Sequence, residues 1–341
     1  MKRIYIILFA IFAGNLCFAQ EAKEGQRVVL AYVTSWSDII PDPEYVTHIN
    51  YAFGHVNSTF DGIRIDKEER LKTIVGLKER KASLKVLLSI GGWGSGRFSE
   101  MAANEANRKA FAADCKRVID EFALDGVDLD WEFPTSSMAK ISSSPDDTEN
   151  FTLLMREIRS VTGADKMLTL ASNAGAGYID FKAVEPYVDF VNIMTYDIGS
   201  APKHHAALYR SENSGWMNGD ESVDAHVKAG IPINKLTLGM PFYGRGTVVT
   251  GNFNDYKNII TLQGFTEKWD DVSKTPYLVN SKGDIVCSFE NAKSIGIKCK
   301  YLRDRGMLGA MYWDYDGDDE AETLRKAVYE GVMSESPDNP R

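Results

Sequence analysis

Short runs of apolar and β-branched residues recur along the chain and alternate with stretches of helical periodicity. The short runs are typical of buried β-strands, and most of the stretches between them are typical of amphipathic helices. Strands that alternate with helices in this way favour an α/β fold, the (β/α)8 TIM barrel, as a single domain over residues 20–333. The eight predicted strands are centred on Val29, Ile49, Val86, Val127, Leu168, Val191, Leu236 and Ala310.

The interval between the seventh and eighth strands is the irregular one. It contains 45 residues from Gly246 to Glu290 before the last crossover helix, and it is rich in turn-forming Gly, Asn and Asp. We therefore predict a short insertion at this point and not a separate domain. Residues 334–341 are expected to form a loose C-terminal tail.

The first residues have the pattern of an export signal. Two basic residues precede an apolar run from Ile4 to Ala13, and Ala19 offers a cleavage site. We predict a signal peptide over residues 1–19 and an exported protein, periplasmic or extracellular. The apolar run is too short to span a bilayer, so the mature chain is expected to have no transmembrane segment. A lipoprotein anchored at Cys17 is the less favoured alternative, because Leu16 stands where a small residue is usual.

Charge narrows the class of ligand. Without the two basic residues of the signal peptide, the chain carries 37 basic and 48 acidic residues, a formal charge of −11. Such a surface discourages binding to nucleic acids, and it tolerates an uncharged polysaccharide. We expect a monomer.

The cysteines indicate no disulfide framework. Cys115, Cys287 and Cys299 remain after the signal peptide, an odd number that cannot all pair within the chain. Cys115 and Cys299 each fall on an apolar helical stripe and are expected to be small core residues. A bridge between Cys287 and Cys299 stays open at this point.

The segment from Asp125 to Pro134 carries the strongest candidate chemistry. In it Asp128, Asp130 and Glu132 alternate with apolar residues. In an extended strand the three acids share one face, with same-face neighbours about 7 Å apart. Crowded carboxylates raise one another's pKa, so one can stay protonated as a general acid while a neighbour stays ionised. This favours a glycosidase site over a calcium loop or a solvated sheet edge, because the stiff residues between the acids need an apolar surface to cover.

Other unusual residues follow other predicted strands. In (β/α)8 barrels the chemistry lies at the C-terminal ends of the strands, so these side chains are expected to converge on one mouth. An indole at a strand end suits the C–H face of a pyranose ring, and glycines leave room for a substrate. The candidate substrate-binding residues at the strand ends are Tyr32, Phe53, Gly91, Gly92, Trp93, Asp197, Tyr243 and Trp313.

Several of these segments resemble the motifs of glycoside hydrolase family 18, the chitinases and their relatives. The acidic strand from Asp125 to Glu132 resembles the Asp-x-x-Asp-x-Asp-x-Glu signature of that family. The segment from Ser89 to Gly92 matches Ser-x-Gly-Gly, and the segment from Met194 to Asp197 matches Met-x-Tyr-Asp. The resemblance keeps its order and spacing from about Val28 to Asp318.

The resemblance implies a retaining, substrate-assisted mechanism. Glu132 would protonate the glycosidic oxygen while the 2-acetamido oxygen of the substrate attacks the anomeric carbon. Asp130 would bind the acetamido N–H, Asp128 would tune Asp130, and Tyr196 would hold the acetamido oxygen. Asp197 would contact a sugar hydroxyl. Arg245 would contact the sugar, and a surface salt bridge stays open as the alternative for this side chain. Phe133 and Met194 are expected to line the same substrate site. No metal or cofactor is implied.

The implied substrate is chitin or another oligosaccharide that contains N-acetylglucosamine. An endo-β-N-acetylglucosaminidase that acts on N-glycans stays open as an alternative, and a carbohydrate-binding lectin is a weaker one because Glu132 is present. Phe133 stands where many relatives have Tyr, and Ile198-Gly199-Ser200 departs from their usual aromatic or histidine residues. The short insertion implies a shallower, more open cleft than in many chitinases.

Overall fold

The computed structural model describes residues 27–248 and 252–334. The predicted signal peptide, Cys17 and the tail after Ser334 lie outside the described residues. The strands are β1 Val28–Thr34, β2 His48–Val56, β3 Ile63–Ile65, β4 Lys85–Gly91, β5 Gly126–Asp130, β6 Met167–Asn173, β7 Phe190–Met194, β8 Leu236–Pro241, β9 Tyr243–Gly246, β10 Asn254–Asp255, β11 Thr266–Asp270, β12 Thr275–Val279, β13 Ile285–Ser288 and β14 Gly309–Trp313. The α-helices are α1 Glu68–Gly76, α2 Phe98–Ala103, α3 Glu105–Glu121, α4 Asp147–Thr162, α5 Phe181–Val184, α6 Gly219–Ala229, α7 Tyr256–Ile259, α8 Ala292–Asp304 and α9 Thr323–Met333.

A closed barrel of parallel strands forms the centre of the described chain. Its order is β1, β14, β8, β7, β6, β5, β4 and β2, and a parallel pairing of β1 with β2 closes the ring. The short strand β3 pairs antiparallel with the end of β2. Every predicted strand centre falls inside one of the eight barrel strands, so the predicted (β/α)8 TIM barrel is confirmed.

Along β5 the side chains alternate between the barrel interior and the helix layer, so the acids and the apolar residues lie on opposite faces of the strand. Val127, Leu129 and Trp131 point outward into the layer between the barrel and its helices, and all three are buried. The indole of Trp131 stacks on Phe98 of α2, with ring centroids 5.3 Å apart. Burial of one such large side chain contributes roughly 1.5–3 kcal/mol to folding. The acids therefore face the barrel interior because their apolar neighbours occupy the helix layer.

The helices bury the predicted stripes. In α3 the buried residues include Phe111, Cys115 and Ile119, as the sequence pattern indicates. Asn104 caps the N-terminus of this helix, and its side chain accepts hydrogen bonds from the backbone of the first turn. Cys115, Cys287 and Cys299 are all buried and free, so the bridge that the sequence left open between the last two is not formed.

The insertion between the seventh and eighth barrel strands lies where the sequence places it. It folds as an antiparallel sheet in the order β10, β9, β13, β12, β11, with α7 after β10. None of these strands was predicted, because the segment is dominated by turn formers. Since β9 follows β8 after a single residue, the sheet rises directly from the mouth of the barrel and carries side chains into it.

A buried ion pair fastens the insertion to the barrel. The ammonium of Lys298 in α8 pairs with Glu290, just after β13, and both side chains are almost fully buried. The ammonium also donates to the carbonyl of Ala206 at 2.6 Å.

Of the helices in the described part of the chain, none is long and apolar enough to cross a membrane.

Candidate active site

One cavity of about 1340 Å³ opens at the C-terminal ends of the barrel strands. Its volume is enough for several sugar rings, since drug-sized ligands occupy roughly 300–1,000 Å³. Among the residues predicted from the sequence, Asp128 alone does not line it. Those that do are Tyr32, Phe53, Gly91, Gly92, Trp93, Asp130, Glu132, Phe133, Met194, Tyr196, Asp197, Tyr243, Arg245 and Trp313.

Asp128 lies below the cavity floor and is fully buried. Thr169 and Asn192 donate to its Oδ1 at 2.6 and 3.3 Å, and Ser89 and Tyr32 donate to its Oδ2 at 2.8 and 2.9 Å. Burial raises the pKa of Asp128, and these four hydrogen bonds oppose the rise. Asp128 is thereby held in one orientation beneath Asp130.

Asp130 and Glu132 lie next above Asp128 along the same chain segment. Asp130 is 5% exposed, and its Oδ1 has no hydrogen-bond partner among the described residues. Burial, the charge of Glu132 and the charge of Asp128 raise the pKa of Asp130 well above its usual range. Burial and the charge of Asp197 raise the pKa of Glu132 to about 8. Glu132 therefore keeps its proton at neutral pH, as a general acid must.

Asp197 is the source of the charge that acts on Glu132. Its Oδ1 accepts hydrogen bonds from Arg245 Nε at 2.7 Å and Tyr243 Oη at 2.8 Å, and His205 Nδ1 lies 3.6 Å away. Burial favours the neutral acid, but the nearby His205 and the hydrogen bond from Arg245 outweigh burial and hold the pKa of Asp197 well below its usual range. Asp197 thus stays ionised while Glu132 stays protonated, which is the division expected of two acids with distinct roles.

Tyr196 supplies a buried phenol beside these acids. Its hydroxyl lies 3.7 Å from the sulfur of Met311. Burial and the charges of Asp130 and Asp197 raise the pKa of Tyr196 well above its usual range, so the phenol keeps its proton. A protonated phenol can donate a hydrogen bond to a substrate oxygen.

Aromatic rings form the floor and one wall of the cavity. Trp313 stacks on Phe53 with centroids 5.7 Å apart, and Trp36 lies 6.2 Å from each of them. Gly92 packs against the same ring, because a Cβ at this position would lie 2.7 Å from Phe53. Its φ of 91° is also a conformation that favours glycine. From the sequence, Gly92 was expected to leave room for a substrate. In the structure a glycine is needed there because the ring of Phe53 occupies the space that a side chain would fill.

More exposed rings line the rim. Trp93 is 61% exposed and Trp216 is 58% exposed. Phe133 stacks on Tyr178 with centroids 5.1 Å apart. Three peptide bonds that lead into cavity-lining residues are cis, namely Ala52–Phe53, Glu132–Phe133 and Trp313–Asp314.

Several site residues were missed by the sequence analysis. Three of the four donors to Asp128 were not predicted, and neither were Trp36, Phe253 and Asp255 in the cavity wall. A signal for the donors existed, because Ser89, Thr169 and Asn192 are polar residues inside otherwise apolar strands. A search for inward-facing polar residues at the level of Asp128 would have found them.

Among the described residues, no group of three or more His, Cys, Asp or Glu side chains could hold a metal ion.

Comparison with known proteins shows that this chain is similar to glycosidases. The model of glycosyl hydrolases family 18 matches residues 28–318. Chitinase A1 of Niallia circulans is 31% identical to this chain over an alignment of 403 residues. The alignment covers 87% of this chain but only 57% of that relative. Probable chitinase 2 of Drosophila melanogaster is 30% identical, with 92% of this chain and 77% of the relative covered.

A solved structure shows the same architecture over its whole length. It is described as a novel glycoside hydrolase family 18 N-acetylglucosaminidase from Paenibacillus barengoltzii. It superposes with a TM-score of 0.81 at 35% identity and covers 90% of this chain and 100% of its own.

Proposed function

The chain belongs to glycosyl hydrolases family 18 and is a glycoside hydrolase, and from that membership we propose that it hydrolyses β-1,4-linked N-acetylglucosamine polymers or oligomers with retention at the anomeric carbon. The chitinases among its relatives support the substrate class. The observation that carries the mechanism is the buried Asp130, whose Oδ1 has no partner among the described residues, next to Glu132, whose pKa is raised to about 8 by burial and the charge of Asp197. An exported location is part of the same proposal.

The first step needs a proton donor and an internal nucleophile. Glu132 donates its proton to the glycosidic oxygen as the bond to the anomeric carbon breaks. The acetamido oxygen of the substrate attacks that carbon and forms an oxazolinium-like ring, so no enzyme nucleophile is required. In the second step Glu132 removes a proton from water, which opens the ring with net retention.

Asp130 and Tyr196 orient the acetamido group. The free Oδ1 of Asp130 can accept the acetamido N–H, and the positive charge that develops on the ring favours the ionised form of Asp130. The buried phenol of Tyr196 can donate to the acetamido oxygen and hold it in line with the anomeric carbon. Asp128 is held in place by its four donors, and besides burial its charge raises the pKa of Asp130.

A second candidate is favoured by one specific observation. A family 18 structure that is 35% identical to this chain is described as an N-acetylglucosaminidase. The same residues would serve such an enzyme, and also an endo-β-N-acetylglucosaminidase of N-glycans, because each reaction uses the same acetamido group. These activities differ in the products that they release.

A mass-spectrometric time course of a defined N-acetylglucosamine pentamer tests these proposals, with Glu132→Gln as the matched control. Dimer and trimer as first products support a chitinase, and monomer released at every step supports the N-acetylglucosaminidase. A pentamer that stays intact with the wild-type protein contradicts both and leaves the N-glycan activity next. Cleavage at the wild-type rate by Glu132→Gln would refute the assigned acid.

A further inference from the structure

Three side chains form a continuous hydrogen-bonded chain that the proposed mechanism does not use, and two of them, His55 and Asp66, line the cavity. His55 Nε2 lies 3.0 Å from Asp66 Oδ2, and His55 Nδ1 lies 2.8 Å from Ser95 Oγ. His55 is near the end of β2, Asp66 follows β3, and Ser95 lies in the loop after β4. We call Asp66, His55 and Ser95 the relay.

The Asp66 end of the relay is firmly anchored. The backbone N–H of Asp66 donates to the carbonyl of Phe53 at 3.0 Å, and its carbonyl accepts from Tyr51 Oη at 2.7 Å. Arg64 pairs with the second carboxylate oxygen, so the negative charge of Asp66 is already balanced. The side chains of His55 and Asp66 are 21% and 31% exposed, and both line the cavity.

The Ser95 end of the relay belongs to a glycine-rich loop, whose backbone donates from Gly92 to Asp130 and from Ser95 to Gly92, each at 2.9 Å. The loop from Gly91 to Gly96 contains glycines with φ values of 132°, 91° and 81° at Gly91, Gly92 and Gly94. Such residues lose more conformational freedom on ordering than any other type. Within the described part of the chain, the bond from Ser95 to His55 is the side-chain hydrogen bond that this loop makes. The exposed Trp93 sits on the same loop and stacks on no other ring there.

We propose that His55 is a positioning residue, which holds the glycine loop through Ser95 and so fixes the Trp93 platform against the bound oligosaccharide. This rests on the proposed function, because it takes Trp93 as a sugar contact. The relay works in either protonation state of His55, since the hydroxyl of Ser95 can donate to or accept from Nδ1. A nucleophilic role for Ser95 is the competing interpretation, because a serine, a histidine and an acid in hydrogen-bond sequence also describe a catalytic triad.

Two amide substitutions separate the two halves of the relay. The amide of Asn reaches about as far as Nδ1 of histidine and the amide of Gln about as far as Nε2. His55→Asn therefore keeps the bond to Ser95, whereas His55→Gln keeps the bond to Asp66 and loses Ser95. Ser95→Ala removes the same bond from the loop side and leaves His55 intact.

The expected readout is a split between KM and kcat on the N-acetylglucosamine pentamer. Loss of one hydrogen bond corresponds to roughly a 3- to 10-fold effect. His55→Gln and Ser95→Ala should raise KM by that factor with kcat nearly unchanged, and His55→Asn should stay closer to wild type. In a Trp93→Ala background, Ser95→Ala should have little further effect, because the two substitutions act through the same platform. Equal effects in both backgrounds, or a fall in kcat as large as that in kcat/KM, would overturn the proposal.

A readout that needs no turnover keeps this test separate from the proposed function. Fluorine NMR of protein labelled with 5-fluorotryptophan reports the Trp93 environment, with the signal assigned by Trp93→Phe. His55→Gln and Ser95→Ala should shift or broaden that signal, and an unaltered signal would refute the relay even if the wild-type protein cleaves the pentamer. Covalent labelling of Ser95 by a fluorophosphonate would also overturn the proposal, in favour of the nucleophile. If the pentamer stays intact, the proposed function fails and the NMR result still decides the relay.

Discussion

Asp197→Asn removes the one charge that is identified as raising the pKa of Glu132. The asparagine keeps the size of the side chain, and its Oδ1 can still accept the bonds that Asp197 accepts from Arg245 and Tyr243 at 2.7 and 2.8 Å. The substitution therefore changes charge more than geometry. Arg245 is left with an unbalanced positive charge, which acts on Glu132 in the same direction as the loss of Asp197.

The magnitude follows from the causes of the shift. The pKa of Glu132 rises from 4.5 to about 8, with burial as the larger cause and Asp197 as the smaller. Asp197 thus accounts for less than half of the rise, and its removal should lower the pKa by about 1 unit, or about 1.4 kcal/mol in the protonation equilibrium. Because the protonated acid is the active form, the loss of activity at high pH should begin about 1 unit lower.

The assay is the pH dependence of kcat/KM on a soluble chromogenic oligosaccharide, from about pH 4 to about pH 10, since this profile reports the free enzyme. Asp255→Asn is the matched control, because Asp255 lines the same cavity and is not among the charges that shift Glu132. A basic limb that stays in place in Asp197→Asn, or moves to higher pH, would refute the electrostatic account. A shift of the same size in Asp255→Asn would show that the effect is not specific to Asp197.

Four further predictions test the acids and the buried ion pair of α8. Glu132→Gln should abolish hydrolysis while calorimetry still detects oligosaccharide binding. Since the pKa of Glu132 is raised in the folded state, its contribution to stability is complete below about pH 4 and is lost as the pH rises through about 8, so Glu132→Gln should melt at a higher temperature than wild type at about pH 9 and equally at about pH 4. Asp130→Asn should lower kcat by about 10²-fold with a smaller change in KM, and an unaltered rate would contradict the substrate-assisted route. Lys298→Met leaves Glu290 as an unpaired buried charge and should cost about 3–5 kcal/mol in urea unfolding, whereas Lys300→Met, on the exposed side of α8, should cost less than about 1 kcal/mol.

The barrel could be predicted because its strands and helices are indicated by the spacing of apolar residues that lie only a few positions apart. Apolar residues at alternate positions of β5 must cover the helix layer, so Asp128 and Asp130 can face only inward. The order of strands and helices fixes the class of fold, and that class places every strand end at one mouth. This is why residues as far apart as Tyr32 and Trp313 could be assigned to one site before any contact between them was known.

The insertion shows where periodicity fails. Its strands are two to five residues long, and turn formers separate them. Strands so short carry too few alternating positions to be distinguished from loops, and they are stabilised by pairing with one another. The contribution of Phe253 and Asp255 to the cavity could therefore be recognised only after β9 and β10 were seen to pair.

The residue pattern was sufficient to predict the barrel, the inward-facing acids and part of the lining of the mouth, but not Trp36, Phe253 or Asp255. The tertiary structure alone decided which donors hold Asp128, which charge raises the pKa of Glu132, and that His55 ties Ser95 to Asp66. The physical reason is range. Burial patterns repeat within a few residues and can be read locally, whereas hydrogen bonds and desolvation depend on distances between side chains that are tens of residues apart in the chain.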